Sequence, residues 1–311
     1  MKALHSAERL ERAAACSRES RASTRLHSAG ICLLLLAVGL AGPSAARATE
    51  VQITFQNLAP TSPTGLYNSP VWFGFHDGSF DLFDSGTSAG AAIEALAELG
   101  DSSLLHSSFT TWQPLGADFV LKNAGGPGPG LFTPGSTRSF VLDLDPGLQR
   151  YLSFGAMVVP SNDSFIANAN PLAMALFDGM GNFLGSQSWT FTGASVWDAG
   201  TEVNSPSNGA AFIAGVDATL GEDEKGTIHL QPLNGLDADL GQTTPAGTVI
   251  GRALTTDPLF RIQVTPVPEP GTYGLLGALA LGALMLARSR GRNATDQRNS
   301  ALIQSRNSLR S

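Results

Sequence analysis

Val51-Gln52-Ile53-Thr54-Phe55 alternates apolar and polar side chains with a period of two. In an extended chain successive side chains point to opposite faces, so this stretch has one dry face and one wet face, as a half-buried strand does. Working outward, similar patterns place strands at 71–75, 138–144, 152–159, 173–177, 186–192, 227–231, 249–254 and 259–264, and Val196-Trp197-Asp198 runs as a strand into a glycine turn. Phe177-Asp178-Gly179-Met180-Gly181-Asn182-Phe183 reads as a hairpin, with Asp-Gly expected to supply the positive φ angles. One stretch breaks the pattern: in 88–99, Ala92, Ile93, Leu96 and Leu99 recur at helical spacing, and Gly100 offers a stop. Residues 123–134 form a Gly/Pro-rich loop. Many short strands, frequent turn signals and one short helix predict a mostly β chain, an antiparallel β-sandwich.

Both ends of the chain read as addresses. At the N-terminus, Lys2, Arg9, Arg12, Arg18, Arg21 and Arg25 precede an apolar core at 31–40, Pro43 breaks it, and Ala46-Arg47-Ala48 offers small residues before Thr49. That is the layout of a secretory signal, with cleavage expected between Ala48 and Thr49. At the C-terminus, Val267-Pro268-Glu269-Pro270 is followed by an apolar run at 273–287 and then by Arg288 and Arg290. The run spans about 22 Å as a helix, short of the roughly 20 residues of a full bilayer crossing. With Pro268, Glu269 and Pro270 before it, this segment resembles the PEP-CTERM sorting signal of Gram-negative bacteria. The resemblance implies processing by an exosortase near that motif, after transient membrane insertion of the apolar helix. The chain divides accordingly into a leader (1–48), a β domain (49–266), the sorting segment (267–290) and a basic tail (291–311).

Charge narrows the function classes. Between Thr49 and Pro270 there are 22 Asp and Glu against six Lys and Arg, a net of −16, whereas the whole chain carries −7. Such a domain repels nucleic acid and suits divalent cations. Both cysteines, Cys16 and Cys32, fall in the leader, so the exported domain has neither disulfide nor thiol chemistry. Its histidines lack catalytic company. His76, beside Asp77, is the most tempting acid–base candidate but reads as structural or surface; His106 reads as a loop residue near serines without a nucleophile elbow; His229 reads as the exposed face of a strand. Trp72, Trp189 and Trp197 read as core or sandwich-end residues, and Trp112 as the best exposed contact. The chain is therefore not expected to be an enzyme. A glycan hydrolase using paired carboxylates and a passive extracellular structural protein are the alternatives.

The domain carries one further set of motifs. These are Trp72-Phe73-Gly74-Phe75-His76-Asp77-Gly78, Ala97-Glu98-Leu99-Gly100, the run Ser153-Phe154-Gly155-Ala156-Met157-Val158-Val159-Pro160-Ser161-Asn162-Asp163, and Trp197-Asp198-Ala199-Gly200-Thr201-Glu202. Together they resemble the spondin domain, the N-terminal domain of F-spondin and mindin, over roughly 51–264. The resemblance implies a C2-like β-sandwich that binds one Ca²⁺ through acidic loop residues. It assigns Asp163 and Asp198 as ligands, with a third before Phe154 that is Asp143 or, as second choice, Asp145. The resulting expectation is an exported calcium-binding adhesion or matrix module. It would reach the cell surface or exterior through the inner membrane and periplasm, with an exopolysaccharide or surface protein as partner.

Overall fold

The computed structural model describes residues 48–128, 130–253, 256–268, 274, 277–285 and 287–288. The leader before Ala48, the whole of the basic tail (291–311), and Glu269 and Pro270 of the sorting motif lie outside them. Among the described residues, eleven strands and the two helices of the β domain run in the order β1 (Thr49–Asn57), β2 (Tyr67–Asn68), β3 (Val71–His76), α1 (Ala91–Leu99), α2 (Ser103–Trp112), β4 (Ala117–Leu121), β5 (Thr137–Leu144), β6 (Tyr151–Val159), β7 (Ser164–Ala167), β8 (Gln187–Thr192), β9 (Trp197–Asp198), β10 (His229–Leu230) and β11 (Pro258–Pro266). Residues 277–285 are also helical. Among the described residues no helix is long and apolar enough to cross a membrane.

The strands make two antiparallel sheets. One has four strands in the order β5-β1-β11-β8; the other has the order β10-β9-β7-β6-β3-β4, with β2 also on β6. Ile53 and Phe55 of β1, Phe73 and Phe75 of β3, Phe154 of β6, and Phe260 and Ile262 of β11 share the core between the sheets. The outer face of the four-stranded sheet meets solvent, and for that reason β1 alternates so cleanly. β3 and β6 instead are buried on both faces and read as continuous apolar runs. Their second face is covered by the helices. Trp72 packs there with Phe80, Leu96, Leu105 and Phe109, and Phe165 with Phe83, Ile93 and Ala97. Gly155 lets α1 come close, since a Cβ there would sit 2.8 Å from Leu96 Cδ2.

Three local departures from the expected pattern have physical causes. Residues 103–112 form a helix where a loop was expected around His106. Leu105 and Phe109 supply its buried face, while Ser107, Thr110 and Thr111 return their hydroxyls to carbonyls of the preceding turn. The segment 177–183 does close as a hairpin, through Asp178 N–H to Asn182 O at 2.9 Å, but the positive φ is at Gly181 rather than Gly179. The expected strand at 173–177 and the described part, 249–253, of the one expected at 249–254 are reduced to isolated bridges at Ala175, Phe177 and Val249.

Candidate functional site

β6 ends at Val159 because Pro160 has no N–H to continue the ladder. The chain turns through Ser161, Asn162 and Asp163 and returns as β7. β7 then pairs with β9 in a register that sets Ser164 opposite Asp198. Two carboxylates 35 positions apart in sequence are thereby brought to one corner of the larger sheet.

Asp163 is fully buried. Its Oδ2 accepts three hydrogen bonds: from Thr201 N–H at 2.8 Å, Thr201 Oγ1–H at 3.1 Å and Glu202 N–H at 3.1 Å. Its Oδ1, also buried, has no hydrogen-bond partner among the described residues. Asp198 is better satisfied: Oδ1 accepts from Gly200 N–H at 2.8 Å and Oδ2 from Asn204 Nδ2 at 2.7 Å. Burial first, and the neighbouring Asp198 charge second, push the Asp163 carboxyl up to about 6, against the pull of its three donors. Asn162 ties the turn to the next loop, donating from Nδ2 to Asn208 O at 2.8 Å and to Glu202 Oε2 at 3.3 Å.

Glu202 borders a cavity of about 410 Å³, lined also by Glu94 and Glu98 of α1, Thr201, Asp223 and Lys225. Burial pushes the Glu202 carboxyl up to about 7, assisted by the charges of Glu98 and Asp163 and opposed by the Asn162 hydrogen bond. Glu98 is also shifted upward, chiefly by burial. Glu98 and Glu202 were both inside stretches singled out in the sequence, yet neither stood out from ordinary surface charge. Only the packing of α1 over the β9 turn shows that they share a wall.

The structure brings together Asp163 and Asp198 but not the third expected ligand. Asp143 is exposed on β5, an edge strand of the other sheet, opposite Glu50. Asp145 lies in the β5–β6 turn, where its Oδ1 accepts from Gly147 N–H at 2.7 Å. That turn opens β6, whereas Asp163 follows its far end, roughly 30 Å away for a nine-residue strand. Among the described residues no group of three or more His, Cys, Asp or Glu side chains gathers closely enough to hold a metal. The donor set still fits a cation in one respect: an unpartnered buried carboxylate oxygen beside a second carboxylate calls for a proton or a positive charge. Asp163 and Asp198 would hold such an ion, with main-chain or water oxygens completing it.

His76 is buried, with Nδ1 accepting from Gly78 N–H at 3.0 Å, so Nε2 carries the proton and donates to Ser153 Oγ at 3.0 Å. Burial lowers its pKa to about 4. His106 lies on α2, 2.6 Å from Asp118 Oδ2, which also accepts from Trp72 Nε1 at 2.9 Å. His229 is exposed on β10. Trp72 is core and Trp112 is 75% exposed. Comparison with known proteins gives no match, either to a family model or to a curated protein.

Proposed function

We propose that this chain is an exported, calcium-binding module of spondin type that acts by binding, at the cell surface or in exopolysaccharide. The observation that carries the calcium part is the buried, unpartnered Asp163 Oδ1 beside Asp198. Bound Ca²⁺ would neutralise both carboxylates and pin the β6–β7 turn to the β9 turn, because Thr201 and Glu202 already clasp Asp163 through the main chain. The ordered corner, with its acidic cavity, is then the surface offered to a glycan or protein. Export rests on the leader and on the sorting segment, with exosortase processing near Pro268, Glu269 and Pro270.

Calorimetric titration tests this. Protein stripped of metal by a chelator should give saturable heat with CaCl₂ at pH 7.5, with a Kd on the order of 10⁻⁴–10⁻³ M as in extracellular modules, and none with MgCl₂. Absence of heat and of any melting shift at saturating calcium would remove the metal. Two carboxylates at one corner also resemble an acid–base couple. That hydrolase reading is disfavoured by the burial of Asp163 and Asp198, which keeps both from a substrate bond. Incubation with exopolysaccharide separates the two: a binding module leaves chain length unchanged.

A further inference from the structure

The end of the sandwich opposite Asp163 carries a group of exposed apolar side chains, and it is where the chain enters and leaves the fold. Trp112 (75% exposed), at the end of α2, projects there with Leu115, Leu148, Leu172 and Met180 (84% exposed) from the α2–β4, β5–β6 and β7–β8 connections. Close contacts tie these loops together. Gln149 Nε2 donates to Leu115 O at 3.2 Å, a Cβ added at Gly181 would lie 3.5 Å from Pro146, and one at Gly78 would lie 2.9 Å from Leu172 Cδ2. Thr49, the first residue of β1, pairs with Leu144 at the end of β5, and Val51 pairs with Pro266 at the end of β11. Val267 N–H still donates to Glu50 O at 2.9 Å. Within at most about 35 Å of extended chain beyond it lies the helix at 277–285. The described residues of that helix are exposed throughout and include Leu279, Leu281, Leu284 and Met285. A helix that is apolar on every side needs a non-aqueous surrounding.

We infer that, before the sorting segment is cleaved, the pole carrying Trp112, Leu115, Leu148, Leu172 and Met180 rests in the headgroup region of the bilayer that takes up the C-terminal apolar helix. This inference rests on reading that helix as membrane-inserted. The tether leaves the fold at this pole, which sets this pole nearer the inserted helix than the Asp163 corner. Amphipathic Trp and flexible Met and Leu suit an interface that is apolar below and wet above. The acidic corner at Asp163 and Asp198 then points away from the membrane, the far side of a strand roughly 30 Å long. Asp77, Asp145 and Asp178 cap turns at the lipid-facing pole, so the surface is matched to zwitterionic rather than anionic lipid.

The test uses the full chain with vesicles of phosphatidylcholine, and of the same lipid brominated on its acyl chains. The wild-type minus Trp112→Phe emission isolates Trp112 from Trp72, Trp189 and Trp197. That difference signal should shift to the blue on vesicles, lose most of its intensity to lipid bromine and resist aqueous iodide. Replacing part of the lipid by phosphatidylglycerol should weaken the effect. If the protein floats with the vesicles while Trp112 stays open to iodide and untouched by bromine, the pole faces water and the inference fails although the tail inserts. A chain that does not float overturns both. Trp112 shielded only in a concentration-dependent dimer, free of lipid, would assign the patch to a second copy of the chain and overturn the inference.

Discussion

Asp163→Asn should raise the melting temperature of the calcium-free protein at pH 7.5 by roughly 5–10 °C, for a domain of this size and a gain of about 2–3 kcal/mol, and should abolish its response to calcium. The ordinary Asp carboxyl titrates at 3.8, and burial lifts Asp163 in the fold to about 6. Between those values the folded protein holds a proton that the unfolded chain has released. Stability is therefore full below about pH 4, falls as pH rises through 6, and stays lower above it by on the order of 3 kcal/mol. Asparagine keeps an acceptor for the Thr201 and Glu202 amides and sets an N–H₂ where the unpartnered oxygen was, beside Asp198. It removes the charge without opening a void. Melts at pH 4.5 and 7.5, with chelator and with calcium, check this. Wild type should gain from calcium at pH 7.5 and little at pH 4.5, while the variant should be indifferent to both. Glu202 and Asp239, each pushed up to about 7, lose stability with rising pH in the same sense. His76 works the other way: its folded value near 4 against 6.5 unfolded costs stability as pH falls. The measured quantity is thus the difference between variant and wild-type curves. A variant less stable than wild type at pH 7.5 would mean that the carboxylate is properly solvated in the fold and that no ion is needed.

How far the sequence could be read depended on whether each signal was local. Alternation at 51–55 marks β1 because that sheet has one wet face, and the long apolar runs at 71–75 and 152–159 mark strands covered on both sides. The helix at 91–99 was legible from four apolar positions and a terminal glycine, whereas α2 was not. Its Ser- and Thr-rich sequence has weak helical propensity, and it is held by burying Leu105 and Phe109 against the sheet. The same distinction explains the site. Asp163 and Asp198 each sit at a strand end followed by a turn signal, and one register brings them together. Asp143 satisfied the same local description, yet it lies on the other sheet. Strand order is set by long-range pairing that no short window contains. Glu98 and Glu202 are the converse case: unremarkable locally, they become significant when α1 is laid over the β9 turn.

That turn carries the second large effect expected, Gly200→Ala. Gly200 has φ +65°, and a Cβ there would lie 2.6 Å from Thr227 N and 2.8 Å from Thr227 O. Both neighbours are main chain, itself fixed by Gly226 N–H donating to Gly200 O at 2.7 Å, so neither can swing aside. A left-handed alanine alone costs about 1–2 kcal/mol, and the steric conflict should take the total to about 3–5 kcal/mol, among the largest single-residue effects. The change reaches the site directly. Gly200 N–H bonds Asp198, and the next two amides bond Asp163, so a displaced turn loosens both carboxylates together. Two other glycines separate the causes. Gly185 has φ +85° with open space around it, so its alanine variant should show the conformational cost alone, about 1 kcal/mol. Gly179 has neither a positive φ nor a close neighbour, and its alanine variant should lie within about 0.5 kcal/mol of wild type. Urea midpoints measured for the three give the ranking, and calcium titration of each tells whether the site moved. Loss of calcium binding at Gly200 alone places the cation at the β7–β9 corner. A Gly200→Ala protein that keeps wild-type stability and calcium affinity would mean that this turn is not rigid, and the clasp on Asp163 would then hold no ion in place.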